Sequence, residues 1–186
     1  AGNTVVKAVL SDRGGQVQAK AARDGRSREP EPGHVERDVA ELWRNAADVI
    51  KECLTQANAK GTDIAAVGLS GHGNGLYLLD GENRPLLGIQ SLDNRAAGLV
   101  EELSQQGVAH KAYPLCLQKP WPAQTATLLA WVKRHRPEIY RVIGTAFLCK
   151  DALAFMLTGE RSTDYSDMSG SGLMHIAARS YDDELL

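Results

Sequence analysis

The sequence predicts an α/β domain in which a mixed sheet is flanked by helices. Two strand-like runs, Thr4–Leu10 and Gln16–Ala21, open the chain around the turn Ser11-Asp12-Arg13-Gly14-Gly15. Helical and strand-like patterns then alternate to the end. Between them a short apolar run, Ile64 to Leu69, reads as a buried strand that empties into Gly71-His72-Gly73-Asn74-Gly75. Glycines there let the backbone approach a small ligand, and the polar side chains between them can point at it.

Each element has a local reason. Residues 22–35 hold Pro30 and Pro32 and read as a loop. Asp38 caps a helix, with Glu41 three residues on in a capping-box pattern. In that helix Val39, Leu42, Trp43, Ala46, Val49, Ile50, Cys53 and Leu54 share one face, and Trp43 belongs to the core. Asp80-Gly81-Glu82-Asn83 turns a hairpin. Helices are expected over 94–104, stopped near Gly107, and over 125–136, ended by Pro137. Ala146–Leu148 reads as a short strand, and 151–158 as a helix closed by Gly159. Residues 162–172 read as a polar loop, with Asp164 and Asp167 as turn-forming side chains, and 172–176 as a strand. Tyr181 to Leu186 looks like the first turn of a helix, and both ends read as interior to a longer protein.

Composition narrows the function classes. Hydrophobic residues make up 43% and charged residues 24%, ordinary for a water-soluble domain, and the net charge of −2 gives no surface for nucleic acid or membrane. Arg23, Arg26 and Arg28 are interleaved with acids and read as a solvated loop. The cysteines, Cys53, Cys116 and Cys149, are odd in number and far apart, which fits buried free thiols in a reducing, cytoplasmic setting. No C-x-x-C pair exists and the five histidines are scattered, so no metal site is expected.

The glycine-rich turn has one textual rival, the dinucleotide fingerprint, and the spacing rejects it. That motif needs G-x-G-x-x-G and then a helix. Gly71, Gly73 and Gly75 give G-x-G-x-G, and the next stretch, Leu76 to Asp80, reads as a strand. A turn with no ligand remains the plainer alternative.

Four segments resemble the N-terminal domain of the FGGY carbohydrate kinases. Ala1 to Lys7 looks like the tail of that family's first phosphate motif, D-x-G-T-T-x-x-K, with Asn3 where many members have threonine. Pro32-Gly33-His34-Val35-Glu36-Arg37-Asp38 with Leu42-Trp43 is similar to its P-G-W-x-E-x-D…W stretch. Gly68 to Asp80 with Asp93 and Arg95 after it resembles its strand–turn–strand and D-x-R. Thr163 to Gly170 resembles its D-x-S-x-A-S loop. The family's helix signature places a lysine three residues before a tryptophan, and here Leu128 precedes Trp131. That variant looks more like the L-xylulose kinase and erythritol kinase branch.

The resemblance implies an actin-like (ribonuclease H-like) ATPase domain. It also implies ATP and Mg2+ as cofactors and a small sugar or polyol, such as xylulose or a tetritol, as the partner. Residues 1–186 would be the sugar-binding part of a two-domain kinase, with the nucleotide domain and the catalytic base beyond Leu186, and the resemblance allows a homodimer of the full-length enzyme. Phosphoryl transfer is mainly positioning plus charge neutralisation. Gly2, Asn3 and Thr4 are therefore the expected phosphate-facing turn, with Lys7 either adding charge or facing solvent. Sugar hydroxyls need fixed donors and acceptors, which makes His72, Asn74, Asp93 and Arg95 the sugar-side candidates. Asp93 can equally cap the following helix, Arg95 can be a bracing ion pair, His72 can simply lock its turn, and Trp121 can stack on a sugar or pack. The competing function is a non-catalytic sugar-binding or regulatory module on the same fold.

Overall fold

In the computed structural model, which describes residues 1–185, the chain begins with a long hairpin. Strands β1 (Val5–Ser11) and β2 (Val17–Asp24) pair antiparallel from Val5↔Asp24 onward. Asp12 closes the turn by accepting from the Gly14 and Gln16 amides. Helix α1 (Val39–Gln56) lies across this hairpin and buries Val39, Leu42, Ala46, Val49 and Cys53. The Asp38 carboxylate caps it by accepting from the Glu41 amide at 3.0 Å. Only that half of the capping box forms, because the Glu41 carboxylate turns away to the Arg26 amide.

A second sheet holds five strands in the order β3-β4-β6-β5-β7. These are β3 (Ser27–Arg28), β4 (Glu36–Arg37), β5 (Leu76–Asp80), β6 (Pro85–Ile89) and β7 (Ile143–Phe147). The β5–β6 turn is organised by Asp80, which accepts from the Glu82 and Arg84 amides and from the Arg84 guanidinium. β5 is buried throughout, because one face packs with α1 and the other with α4 (Thr125–His135). Remaining helices are α2 (Ala97–Gln105), α3 (Val108–Cys116), α5 (Pro137–Tyr140), α6 (Cys149–Thr158) and α7 (Tyr165–Gly170). A last pair, β8 (Met174–His175) and β9 (Ser180–Tyr181), closes the order.

The structure departs from the sequence reading in five places. The run 64–69 is no buried strand: it forms no ladder among the described residues, and Val67 is 66% exposed. Every ladder described is antiparallel. A helix, α3, occupies the stretch after Gly107, where the sequence shows no clear period, with Pro114 inside it. The loop 162–172 contains α7, because the Asp164 carboxylate accepts from the Ser166 and Asp167 amides and so starts a helical turn. Asp182 to Leu185 form a turn beyond β9, and Leu186, assigned to the same starting helix, lies outside the described residues.

The core fills both sides of the central sheet, with α1, β5 and α6 on one side and α2 and α4 on the other. All three cysteines are free and buried. Among the described residues no helix is long and apolar enough to cross a membrane.

Candidate functional site

Two turns meet at one end of this core. The first is Gly2-Asn3-Thr4, and each of its carbonyls is tied back into the domain. The Arg37 guanidinium donates to the Gly2 carbonyl at 3.0 Å, the Gln90 amide to the Asn3 carbonyl at 2.6 Å, and the Gly25 amide to the Thr4 carbonyl at 2.7 Å. The Gly2 amide donates to Val5. The Asn3 side chain bonds the Ser91 hydroxyl at 3.1 Å. The amides of Asn3 and Thr4 have no hydrogen-bond partner among the described residues. A turn with its carbonyls occupied and its amides free suits an anion. Lys7 stands exposed on β1 with no ion pair among the described residues.

The second turn, Gly71 to Gly75, is held as tightly. The Gly75 amide donates to the Ala123 carbonyl at 3.0 Å, and the Thr125 hydroxyl donates back to the Gly75 carbonyl at 2.9 Å. Asn74 and Gly75 both take left-handed backbone angles, φ 59° and 79°. A side chain at Gly75 would sit 2.6 Å from the Ile89 carbonyl, so only glycine fits. The His72 amide donates to the Ala1 carbonyl, which sets the two turns side by side.

His72 faces inward. Its Nε2 lies 2.8 Å from the Tyr77 hydroxyl, and burial lowers its pKa from 6.5 to about 4, with the Arg37 charge acting in the same direction. The ring is therefore neutral at physiological pH and fixes the turn. Burial pushes the Tyr77 hydroxyl and the neighbouring Cys149 thiol above their ordinary values, so both stay protonated. Asn74 has a buried Oδ1 with no partner.

Asp93 and Arg95 are placed differently from the sequence expectation. Both side chains are fully buried and paired with each other. Asp93 also accepts from the Val35 amide at 2.5 Å, and Arg95 donates to Glu36 at 2.9 Å with its guanidinium 5.1 Å over the Trp131 ring. Neither offers surface to a ligand. Asp93 is also no helix cap, since α2 begins at Ala97 without a side-chain cap. The pair ties the loop after β6 to Val35 and Glu36, and that loop carries Gln90 and Ser91 to the back of the first turn.

One group escaped the sequence reading. Lys150, at the start of α6, ion-pairs with Asp151, with Asp164 at 2.8 Å and with Asp167 at 3.6 Å. Burial opposes its charge, but hydrogen bonds to Asp151 and Asp164 outweigh it and raise its pKa above the ordinary lysine value. The Lys150 bond holds Asp164 well below the usual carboxylate range, while burial and two acidic neighbours raise Asp167. With Ser70, Gly71 and Ser166, the side chains of Lys150, Asp164 and Asp167 line an open polar hollow of about 280 Å³ beside the glycine-rich turn. Nothing in the order Leu148-Cys149-Lys150-Asp151 signals this, because the partners arrive from α7. Trp121 is 36% exposed at the rim of the loop that pins Gly75.

The whole chain, residues 1–186, fits the FGGY family of carbohydrate kinases, N-terminal domain. The chain belongs to this family. A probable L-xylulose kinase from Pasteurella multocida is 36% identical over 185 residues, which is 99% of this chain and 38% of the relative. The L-xylulose/3-keto-L-gulonate kinase of Escherichia coli is 37% identical over 182 residues, 97% of this chain and 36% of the relative. The solved structure of a xylulose kinase from Rhodospirillum rubrum superposes with a TM-score of 0.89 at 28% identity, covering 99% of this chain and 38% of that one. The chain thus has the actin-like ATPase fold of the FGGY sugar kinases and spans little more than a third of these proteins' length.

Proposed function

We propose that this domain is the acceptor half of an ATP-dependent carbohydrate kinase that phosphorylates a small ketose, of the xylulose class, or a related polyol. The observation that carries the reading is the Gly2–Thr4 turn, whose three carbonyls are all bonded inward while the Asn3 and Thr4 amides have no partner among the described residues. Those amides fit the oxygens of a transferred phosphate, with the Thr4 hydroxyl beside them. ATP supplies the phosphoryl group when bound. Among the described residues no three His, Cys, Asp or Glu side chains gather to hold a metal ion. In this reading Mg2+ arrives with the nucleotide.

On the sugar side, Asn74 and the hollow at Lys150 and Asp167 provide donors and acceptors at the glycine-rich turn, which lets the sugar approach closely. His72, Asp93 and Arg95 serve from behind by fixing backbone. The base that takes the sugar's hydroxyl proton belongs to the part of the kinase beyond this domain. Two carboxylates here, Asp151 and Asp164, are bound by Lys150, which suits them to structure. The partners are the sugar and the nucleotide.

The test is a coupled assay for ADP release by the full-length protein with ATP, Mg2+ and a panel of ketopentoses and tetritols. Turnover of a xylulose, with none by the 186-residue chain alone, is the expected result. No turnover of any panel member, with the protein folded, refutes the kinase reading.

A further inference from the structure

Arg37 is 2% exposed, and its Nε and Nη2 have no hydrogen-bond partner among the described residues. No carboxylate pairs with it among the described residues. Its one bond to the described residues is the Nη1 donation to the Gly2 carbonyl. The guanidinium fits only because residue 25 is glycine: a Cβ there would collide with Nη2 and the guanidinium carbon. A buried cation without a counter-ion is costly, and a neutral side chain of similar size would be cheaper for the fold alone.

Peptide geometry shows what the arginine does. In a planar trans peptide the C=O and the following N–H point in opposite directions. Holding the Gly2 carbonyl toward Arg37 therefore turns the Asn3 amide away from it. Holding the Asn3 carbonyl toward Gln90 turns the Thr4 amide away in the same manner. Gln90 is itself fully buried and fixed, since its Oε1 accepts from the Ser27 hydroxyl at 2.5 Å and its backbone amide donates to Val35.

We infer that Arg37 and Gln90 are positioning residues that set the direction of the Asn3 and Thr4 amides, and that the unpaired Arg37 charge is kept to favour a phosphate on the far side of the turn. The inference rests on the phosphate reading of the turn and deepens it. Arg37 acts through the turn, without touching the ligand, by orienting two dipoles and by adding a positive field from a buried guanidinium.

The experiment uses the full-length protein and the variants Arg37→Gln and Gln90→Met. Thermal midpoints are measured with and without inorganic tripolyphosphate, and KM is measured for ATP and for the sugar. The wild type should gain thermal stability from tripolyphosphate. Arg37→Gln should melt at or above the wild type without the anion, lose most of that gain, and raise the ATP KM about tenfold with the sugar KM within about twofold. Gln90→Met should shift the ATP KM in the same direction. An Arg37→Gln protein that melts lower or fails to fold, or that keeps both the anion gain and the ATP KM, overturns the inference and leaves the phosphate turn standing. A wild type that gains nothing from tripolyphosphate takes the phosphate reading down with it.

Discussion

Two polar regions of this domain, some ninety residues apart in sequence, treat their hydrogen bonds in opposite ways. At Asp93 and Arg95 charge is buried and nearly saturated: the Asp93 carboxylate meets the Arg95 guanidinium and the Val35 amide, the guanidinium also meets Glu36 under an indole, and Arg95 Nη1 alone is without a partner among the described residues. At Gly2–Thr4 the turn is equally well held, yet among the described residues two amides are left over and the cation behind it has no carboxylate partner. A region whose bonds are nearly all used inside the protein is suited to holding shape. A region held firmly with donors left over suits a ligand, which is the role proposed for the Gly2–Thr4 turn. The residue types alone would have suggested the reverse, since Asp and Arg are the more conspicuous sugar-binding candidates.

The largest expected effect tests the saturated side. Asp93→Ala removes the partner of a fully buried Arg95 and should cost roughly 3–5 kcal/mol of stability, read as a lower denaturant midpoint. Under the brace reading the folded fraction keeps its sugar KM within a few-fold. A fully stable Asp93→Ala protein with a sugar KM raised a hundredfold would move Asp93 back into the sugar site.

A smaller effect tests the open side. Thr4→Val keeps the shape of the side chain and removes its hydroxyl, so the full-length kinase should lose about tenfold in kcat, roughly 1.4 kcal/mol of barrier, with unchanged melting. Loss of stability without loss of kcat would assign Thr4 to structure.

The smallest effect is a pH dependence at the glycine-rich turn. His72 has its folded pKa lowered from 6.5 to about 4, chiefly by burial, so its contribution is present above pH 6.5 and is lost as pH falls toward 4. The unfolded chain binds the proton first, which sets that sign. His72→Gln, which can still bond the Tyr77 hydroxyl, should flatten the stability slope between pH 6.5 and 4 in urea titrations at each pH. An unchanged slope would mean that the ring is not held neutral against Tyr77.

What the sequence disclosed was mostly local. The first hairpin, the α1 face, the Asp80 turn and the Gly159 stop are each decided by neighbours within a few residues, and each is found in the structure. The glycine-rich turn was also legible, because the left-handed angles at Asn74 and Gly75 and the close approach of Ile89 to Gly75 demand glycine or asparagine. The reading failed where distant residues decide. The run 64–69 is apolar but pairs with nothing described. α3 carries His110, Lys111 and Pro114, which blur its period. Asp93, Arg95 and Arg37 reveal their roles only through burial, and Lys150 only through carboxylates of Asp164 and Asp167 on α7.

The most direct test of the account reads the two leftover amides themselves. In the 15N-labelled full-length protein, titration with the magnesium complex of a non-hydrolysable ATP analogue should shift the Asn3 and Thr4 amide resonances and slow their exchange with solvent. The Arg95 amide, bonded to Asp93 inside the domain, should stay where it is. Saturable nucleotide binding that leaves Asn3 and Thr4 unmoved would contradict the claim that this turn receives the phosphate.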